Sequence, residues 1–213
     1  MVTVLSMIEV PTRWGIIPAK YHYLKHPTGS SHLAVLFPGK GYTLDAPVMW
    51  YSAKAAFDAG CDVLEVEYGY QANRVELMID ELDSLVEETA ATLNNLVNNQ
   101  YSNVVFIGKS IGTIVQTKVL QKLSFSVPNH IFLTPLKAII PAIRDSKNAL
   151  VIVGDRDSAF ETSDITQVAG FSHVKLTVVP EADHGLETKD YSVSIDILKQ
   201  VAILCGDFCR ELL

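Results

Sequence analysis

Val104 to Gly112 reads VVFIGKSIG. An unbroken apolar run, Val104–Ile107, enters Gly108-Lys109-Ser110-Ile111-Gly112, and a helix is predicted from Ile111 to about Leu123. A continuous run without alternation marks a strand covered on both faces, as in a parallel sheet flanked by helices. Further runs have the same character: His32–Phe37 (HLAVLF), Asp62–Tyr68 (DVLEVEY), Ile131–Leu133, Leu150–Val153 (LVIV) and Lys175–Val179. Helices are predicted between and after them. Asp45–Ala59 has Asp45 as its N-cap and Gly60 as its C′ stop. Arg74–Asn98 carries Leu77, Leu82, Leu85, Leu93 and Leu96 at roughly helical spacing, and the tail from Ser192 to about Glu211 is a last helix. Val2–Val10 and Ile16–Leu24 alternate imperfectly around Pro11–Gly15, predicting a leading antiparallel pair. The expected fold is α/β, a doubly wound and mostly parallel sheet with leading antiparallel strands.

Composition agrees with that pattern. The 213 residues, at about 150 per domain, predict a single domain over 1–213. A hydrophobic share of 48% with 19% charged residues excludes disorder. The positive mean hydropathy of +0.22 follows from strands buried on both sides, since no apolar run approaches the length of about 20 residues that spans a membrane. A net charge of −7 and scattered Lys and Arg argue against nucleic acid as a partner. Met1–Val10 has no cationic start, so no secretory signal is expected. Three cysteines, Cys61, Cys205 and Cys209, make no disulfide framework, and a reducing cytoplasm is the expected location. They are read as small buried hydrophobes, with the Cys205–Cys209 helix a candidate contact surface; the oligomeric state is not readable. His22 and His26 are read as surface residues.

In a doubly wound sheet the site lies at the carboxyl ends of the strands. There the G-x-S-x-G at Gly108–Gly112 has a chemical meaning. A serine on a tight strand-to-helix turn is lifted above the sheet, and glycines at −2 and +2 avoid collisions with strand and helix. The N–H of Ile111 then stands at a helix N-terminus, where it can stabilise an oxyanion. A capping serine in a plain Gly-rich turn is the alternative. A phosphate loop fails, because G-x-x-x-x-G-K-S needs glycine where Asn103 stands and leaves 104–107 no loop to wrap a phosphate.

A serine nucleophile needs a base, and the base an orienting carboxylate. LVIV runs into Gly154-Asp155-Arg156-Asp157, and the last strand into Pro180-Glu181-Ala182-Asp183-His184-Gly185. His184 is the candidate base. For the acid, Asp155 and Asp157 both remain open by spacing, with Asp155 also a candidate for capping the turn; Asp183 adjoins the histidine too closely to reach its ring easily.

Pro38-Gly39-Lys40-Gly41, Gly108–Gly112, Gly154–Asp157 and Ala182–Gly185, in this order, resemble the α/β-hydrolase superfamily, closest to its small capless serine hydrolases. The likeness runs from Phe37 to the last helix. It implies Asp157 as the acid and the backbone N–H of Lys40 as second oxyanion donor beside Ile111, with Gly41 the alternative. Two departures stand out: the oxyanion turn begins Pro38-Gly39 where relatives often have His-Gly, and Thr134 to Asn148 leaves no room for a helical lid.

The implied function is cleavage of a carboxylic ester or thioester through an acyl-enzyme on Ser110, with no metal or organic cofactor required. A non-catalytic binding or scaffold protein on the same fold, or an acyltransferase using the same triad, are the alternatives. Loop position makes Gly41, Tyr42, Phe160 and Leu186 candidate substrate contacts, with Tyr68 and Tyr70 nearby. Lys109 is read either as a cation favouring an acidic substrate or as a solvated or salt-bridged side chain.

Overall fold

The computed structural model describes residues 4–97 and 101–212. Its eight strands are β1 (Val4–Val10), β2 (Ala19–Lys25), β3 (His32–Phe37), β4 (Asp62–Val66), β5 (Asn103–Lys109), β6 (Asn129–Leu133), β7 (Asn148–Gly154) and β8 (Val174–Val179). They lie in one sheet in the order β1-β2-β4-β3-β5-β6-β7-β8. β1 and β2 are antiparallel, β2 joins β4 antiparallel, and every other pair is parallel. The fold is thus the expected mostly parallel sheet with leading antiparallel strands.

Alternation along each strand sorts the core into two sides. Val105 and Ile107 of β5 pack with Met49, Ala53 and Ala56 of α1 (Pro47–Asp58) and with Val201, Cys205 and Phe208 of α7 (Tyr191–Arg210). Val104 and Phe106 face the other way, against Leu85, Ala90 and Leu93 of α3 (Leu82–Leu96) and Val115 and Val119 of α4 (Ile111–Val119). Further along that second side, Phe132, Val151 and Val153 pack with Ile143 of α5 (Ile140–Asp145) and Val168 of α6 (Thr162–Ala169). Double coverage leaves the central strands almost dry, whereas the β1 edge exposes Leu5 and Met7.

Several expected boundaries move. Asp45 does not cap α1: Ala46 is the N-cap and Pro47 opens the helix, its fixed φ and missing N–H suiting that place. Gly60 follows the helix at φ 106°, as a C′ glycine should. The helix expected from Arg74 begins only at Leu82. Arg74 turns the chain at φ 54°, Leu77 fills the core from a loop, and the Glu81 carboxylate accepts the Met78 N–H to start the helical run. A short helix, α2 (Gly69–Ala72), occupies the space just after β4. The expected ends at Val2 and Asn98 lie outside the described residues.

α5 and α6 are not foreseen in the sequence. α5 tolerates Pro141 because it lies in the first turn, and α6 buries only Val168, too little for a periodic signal. The β6–β7 connection holds no lid among the described residues, only a 3₁₀ turn and α5 against the core. Cys205 and Cys209 are fully buried, as small hydrophobes; α7 turns them onto α1 and the sheet, while its other face exposes Tyr191, Ile195 and Ile203. His22 is half exposed and paired with Glu65, and His26 stacks on Phe57. No helix among the described residues is long and apolar enough to cross a membrane.

Candidate active site

The sheet order reverses at β3. β4 lies on one side of it and β5 on the other, so the carboxyl ends of β3 and β5 bound the crevice where ligands bind in such sheets. Phe37 pairs with Gly108, bringing the Pro38–Gly41 turn directly beside Ser110.

Ser110 sits at φ 53°, ψ −119°, backbone that costs a non-glycine residue about 1–3 kcal/mol. Its surroundings over-determine it. The Ser110 N–H donates to Leu133 O (3.1 Å), and its carbonyl accepts from Thr113 N–H (2.9 Å) and Thr113 Oγ1 (2.6 Å). The two glycines serve the same turn by close approach. A Cβ on Gly112 would lie 2.1 Å from Phe37 O, and one on Gly108 2.3 Å from Gln116 Oε1.

Ser110 Oγ lies 2.8 Å from His184 Nε2. His184 Nδ1 faces both oxygens of Asp157, at 2.9 and 2.8 Å. A carboxylate only accepts, so Nδ1 carries the proton and Nε2 is left to accept from the serine hydroxyl. The Asp157 side chain is wholly buried, while the imidazole keeps 34% exposure. Asp157 Oδ1 also accepts the Ala159 N–H (2.8 Å), so the buried charge is paired.

The two other aspartates have different work. Asp155 is exposed and caps the next turn by accepting the Glu181 N–H (2.7 Å). Asp183 Oδ1 accepts the N–H groups of Gly185 (2.7 Å) and Glu187 (3.2 Å), folding its own loop.

The Pro38–Gly41 turn is braced from outside. Gln71 Nε2 donates to Gly39 O (2.8 Å), and the Tyr70 hydroxyl donates to Lys40 O (3.0 Å). Burial pushes the Tyr70 hydroxyl well above its usual range, so it remains a donor. The Gly39–Lys40 peptide is trans and planar, so fixing its carbonyl on Gln71 turns the Lys40 N–H the opposite way. Among the described residues neither the Lys40 nor the Ile111 N–H has a hydrogen-bond partner. The Lys40 side chain is exposed and pairs with Glu76. Gln71 escapes sequence reasoning altogether; its only signal is a place just past β4.

The candidate contacts divide. Tyr42 and Leu186 line a cleft of about 320 Å³ beside His184, with Val48, Ile195 and Leu198, and with Lys189 also in its lining. Leu186 at 2% exposure is mostly core, and Gly41 is exposed with open space around it. Phe160, read as a candidate contact, is buried: the turn from Asp157 folds its ring into the core beside Phe132 and Val153. Lys109, expected to be solvated, salt-bridged or turned to a substrate, is buried instead. At 1% exposure its Nζ donates to Thr134 Oγ1 (2.9 Å) and His184 O (2.7 Å) and lies 4.6 Å from the centre of the Tyr42 ring. Burial pulls its ammonium down to about 8, against the opposing pull of Asp157, Asp183 and Glu187. No cluster of His, Cys, Asp and Glu suited to a metal ion occurs among the described residues.

The sheet, its switch point and this chain of three side chains define a protein of the α/β-hydrolase class. The sequence profile of the alpha/beta hydrolase domain matches residues 30–203, and the chain belongs to that family. No curated protein matches it in sequence. Solved structures do in fold. An esterase from Pyrococcus furiosus has TM-score 0.71 at 12% identity, covering 98% of this chain and 93% of that one. Dienelactone hydrolase from Anabaena variabilis has TM-score 0.71 at 16% identity, covering 97% and 96%. A serine hydrolase without lid from Xanthomonas campestris has TM-score 0.66 at 17% identity, covering 99% and 95%.

Proposed function

We propose that the protein is a serine hydrolase acting on small carboxylic esters or thioesters. One observation carries this reading: the continuous hydrogen-bond chain Ser110–His184–Asp157 at 2.8–2.9 Å, with Ser110 raised on a strained turn. Ser110 Oγ attacks the acyl carbonyl as His184 Nε2 takes its proton. Asp157 keeps the imidazole in the tautomer that can accept, and stabilises the imidazolium. The unpartnered N–H groups of Lys40 and Ile111 receive the oxyanion, each donor worth about 3 kcal/mol of barrier. His184 returns the proton to the leaving alcohol or thiol, and water repeats the sequence to release the acid. The cleft that begins at Gly185, next to His184, is lined by Tyr42, Val48, Leu186, Ile195 and Leu198 as well as by Glu187 and Lys189, and its apolar part suits an uncharged acyl or alcohol group.

A fluorophosphonate probe tests the reading, with p-nitrophenyl acetate and butyrate assayed alongside. The expected result is an adduct located on Ser110 by mass spectrometry, and hydrolysis that disappears in Ser110→Ala. Absence of an adduct, together with hydrolysis no faster than in Ser110→Ala, would overturn it.

A further inference from the structure

We propose that Lys109 is a positioning residue: it holds the backbone of His184 so that the imidazole meets Ser110 and Asp157 together. The proposal rests on the reading of Ser110 as nucleophile. It assigns a task to a buried cation that the chemistry above leaves unused.

An ammonium has three N–H donors, and hydrogen bonds fix two of them here. These go to Thr134 Oγ1 and His184 O, at 2.9 and 2.7 Å, and Nζ stands over the face of Tyr42. Four separate segments meet at this atom: the end of β5, the residue after β6, the loop after β8, and the turn after β3. Lys109 is next to Ser110 in the chain, so the nucleophile's own strand reaches across to grip the main chain of the base. Thr134 is itself set at φ 42°, with its N–H on Ile152 O (2.8 Å). The anchor at that end is therefore tied to β7.

The His184 loop also holds itself, with Asp183 N–H on Glu187 O (2.9 Å) and Leu186 N–H on Asp183 O (3.0 Å). Asp183 ties Gly185 and Glu187, and Arg156 N–H donates to Ala182 O (3.0 Å), but these bonds flank His184 without touching its carbonyl. The charges facing Lys109 are Asp157 from the turn after β7 and Asp183 and Glu187 from the loop after β8. They keep a buried cation tolerable. A solvent-facing lysine would need none of this. Carbonyl and ring of His184 share one Cα, so slackening the carbonyl moves Nε2 off Ser110 Oγ, and a 1 Å displacement at such a site costs on the order of 100-fold in rate.

Lys109→Met, of similar length but without charge or donors, tests the idea in the full chain. Circular dichroism first establishes that it folds. The expected result is kcat on p-nitrophenyl acetate lower by about 10- to 100-fold, with KM within about three-fold of wild type. The low-field proton resonance of His184 Nδ1–H, identified by its loss in Asp157→Asn, should broaden or vanish as well. A merely structural lysine would lower Tm and leave kcat and that resonance intact, and this outcome overturns the proposal. Should Lys109→Met not fold, Thr134→Val decides. It keeps the shape of threonine and removes one acceptor, so kcat should fall about three-fold and return in Thr134→Ser; a wild-type kcat in Thr134→Val overturns the proposal. Failure of the nucleophile reading would look different. Wild type would then neither label nor hydrolyse, while the His184 resonance would still report whether Lys109 holds the ring.

Discussion

Two turns meet across the crevice and are built in opposite ways. The turn after β5, which carries Ser110, contains most of its own support. Glycines at 108 and 112 allow backbone to pass within van der Waals range, and Thr113 ties the Ser110 carbonyl from inside the same helix. The loop after β8, which carries His184, takes non-glycine residues at positive φ, Glu181 at 58° and Leu186 at 62°. Asp183 folds it locally, and distant groups add the rest: Asp155 on Glu181, Asp157 on the imidazole, Lys109 on the His184 carbonyl. Ser110, the proposed nucleophile, is thus held mainly by its own turn and helix with help from the ends of β3 and β6, and His184, the proposed base, by side chains from β5 and the turn after β7 as well as by its own loop.

The largest expected effect breaks the second turn. Asp157→Asn leaves a carboxamide that can orient the wrong tautomer, so kcat should fall about 10⁴-fold with the fold intact. Asp155→Asn, two residues away, should change kcat by less than about ten-fold, since its role is a cap at the surface. Steady-state hydrolysis of p-nitrophenyl butyrate by both variants checks this, and the reverse ranking would give the acid to Asp155.

A smaller effect breaks the first turn. Gly112→Ala puts a methyl against the Phe37 carbonyl, which cannot yield without moving β3. The expected loss is about 3 kcal/mol, or roughly 6–12 °C in Tm. Calorimetry that finds an unchanged Tm would show that the turn is looser than its glycines imply.

The smallest effect concerns the cation between the turns. The Lys109 ammonium lies near 8 when folded and near 10.5 when unfolded. Above pH 8 the unfolded chain therefore binds more protons, and stability rises with pH through that window. The wild type should gain about 2 kcal/mol relative to Lys109→Met between pH 8 and 10, read from urea unfolding of both proteins. Tyrosine and cysteine titrations contribute to both chains alike and cancel in the difference. A neutral amine still has donors for Thr134 and His184, so the kcat gap between the two proteins should persist at pH 9.5. A flat stability difference would show that the ammonium is better solvated than its burial indicates.

Much of the fold was legible because its signals are short-range. Unbroken runs such as VVFI and LVIV declare strands buried on both sides, and Gly-x-Ser-x-Gly declares a tight turn between strand and helix. α6 was not legible, because one buried residue makes no period, and Leu77 misled because a core position can be filled from a loop as well as from a helix. The sequence alone set out the candidates in chain order, Ser110 then an aspartate then His184, and placed Ser110 on a strand-to-helix turn, since Gly-x-Ser-x-Gly between an apolar run and a helix is a short-range signal. Only the tertiary structure decided which of three aspartates faces the imidazole, that Gln71 braces the Gly39 carbonyl, and that Lys109 points inward to His184. Those partners come from strand ends far apart in the chain, and only packing of the whole sheet brings their atoms within 3 Å.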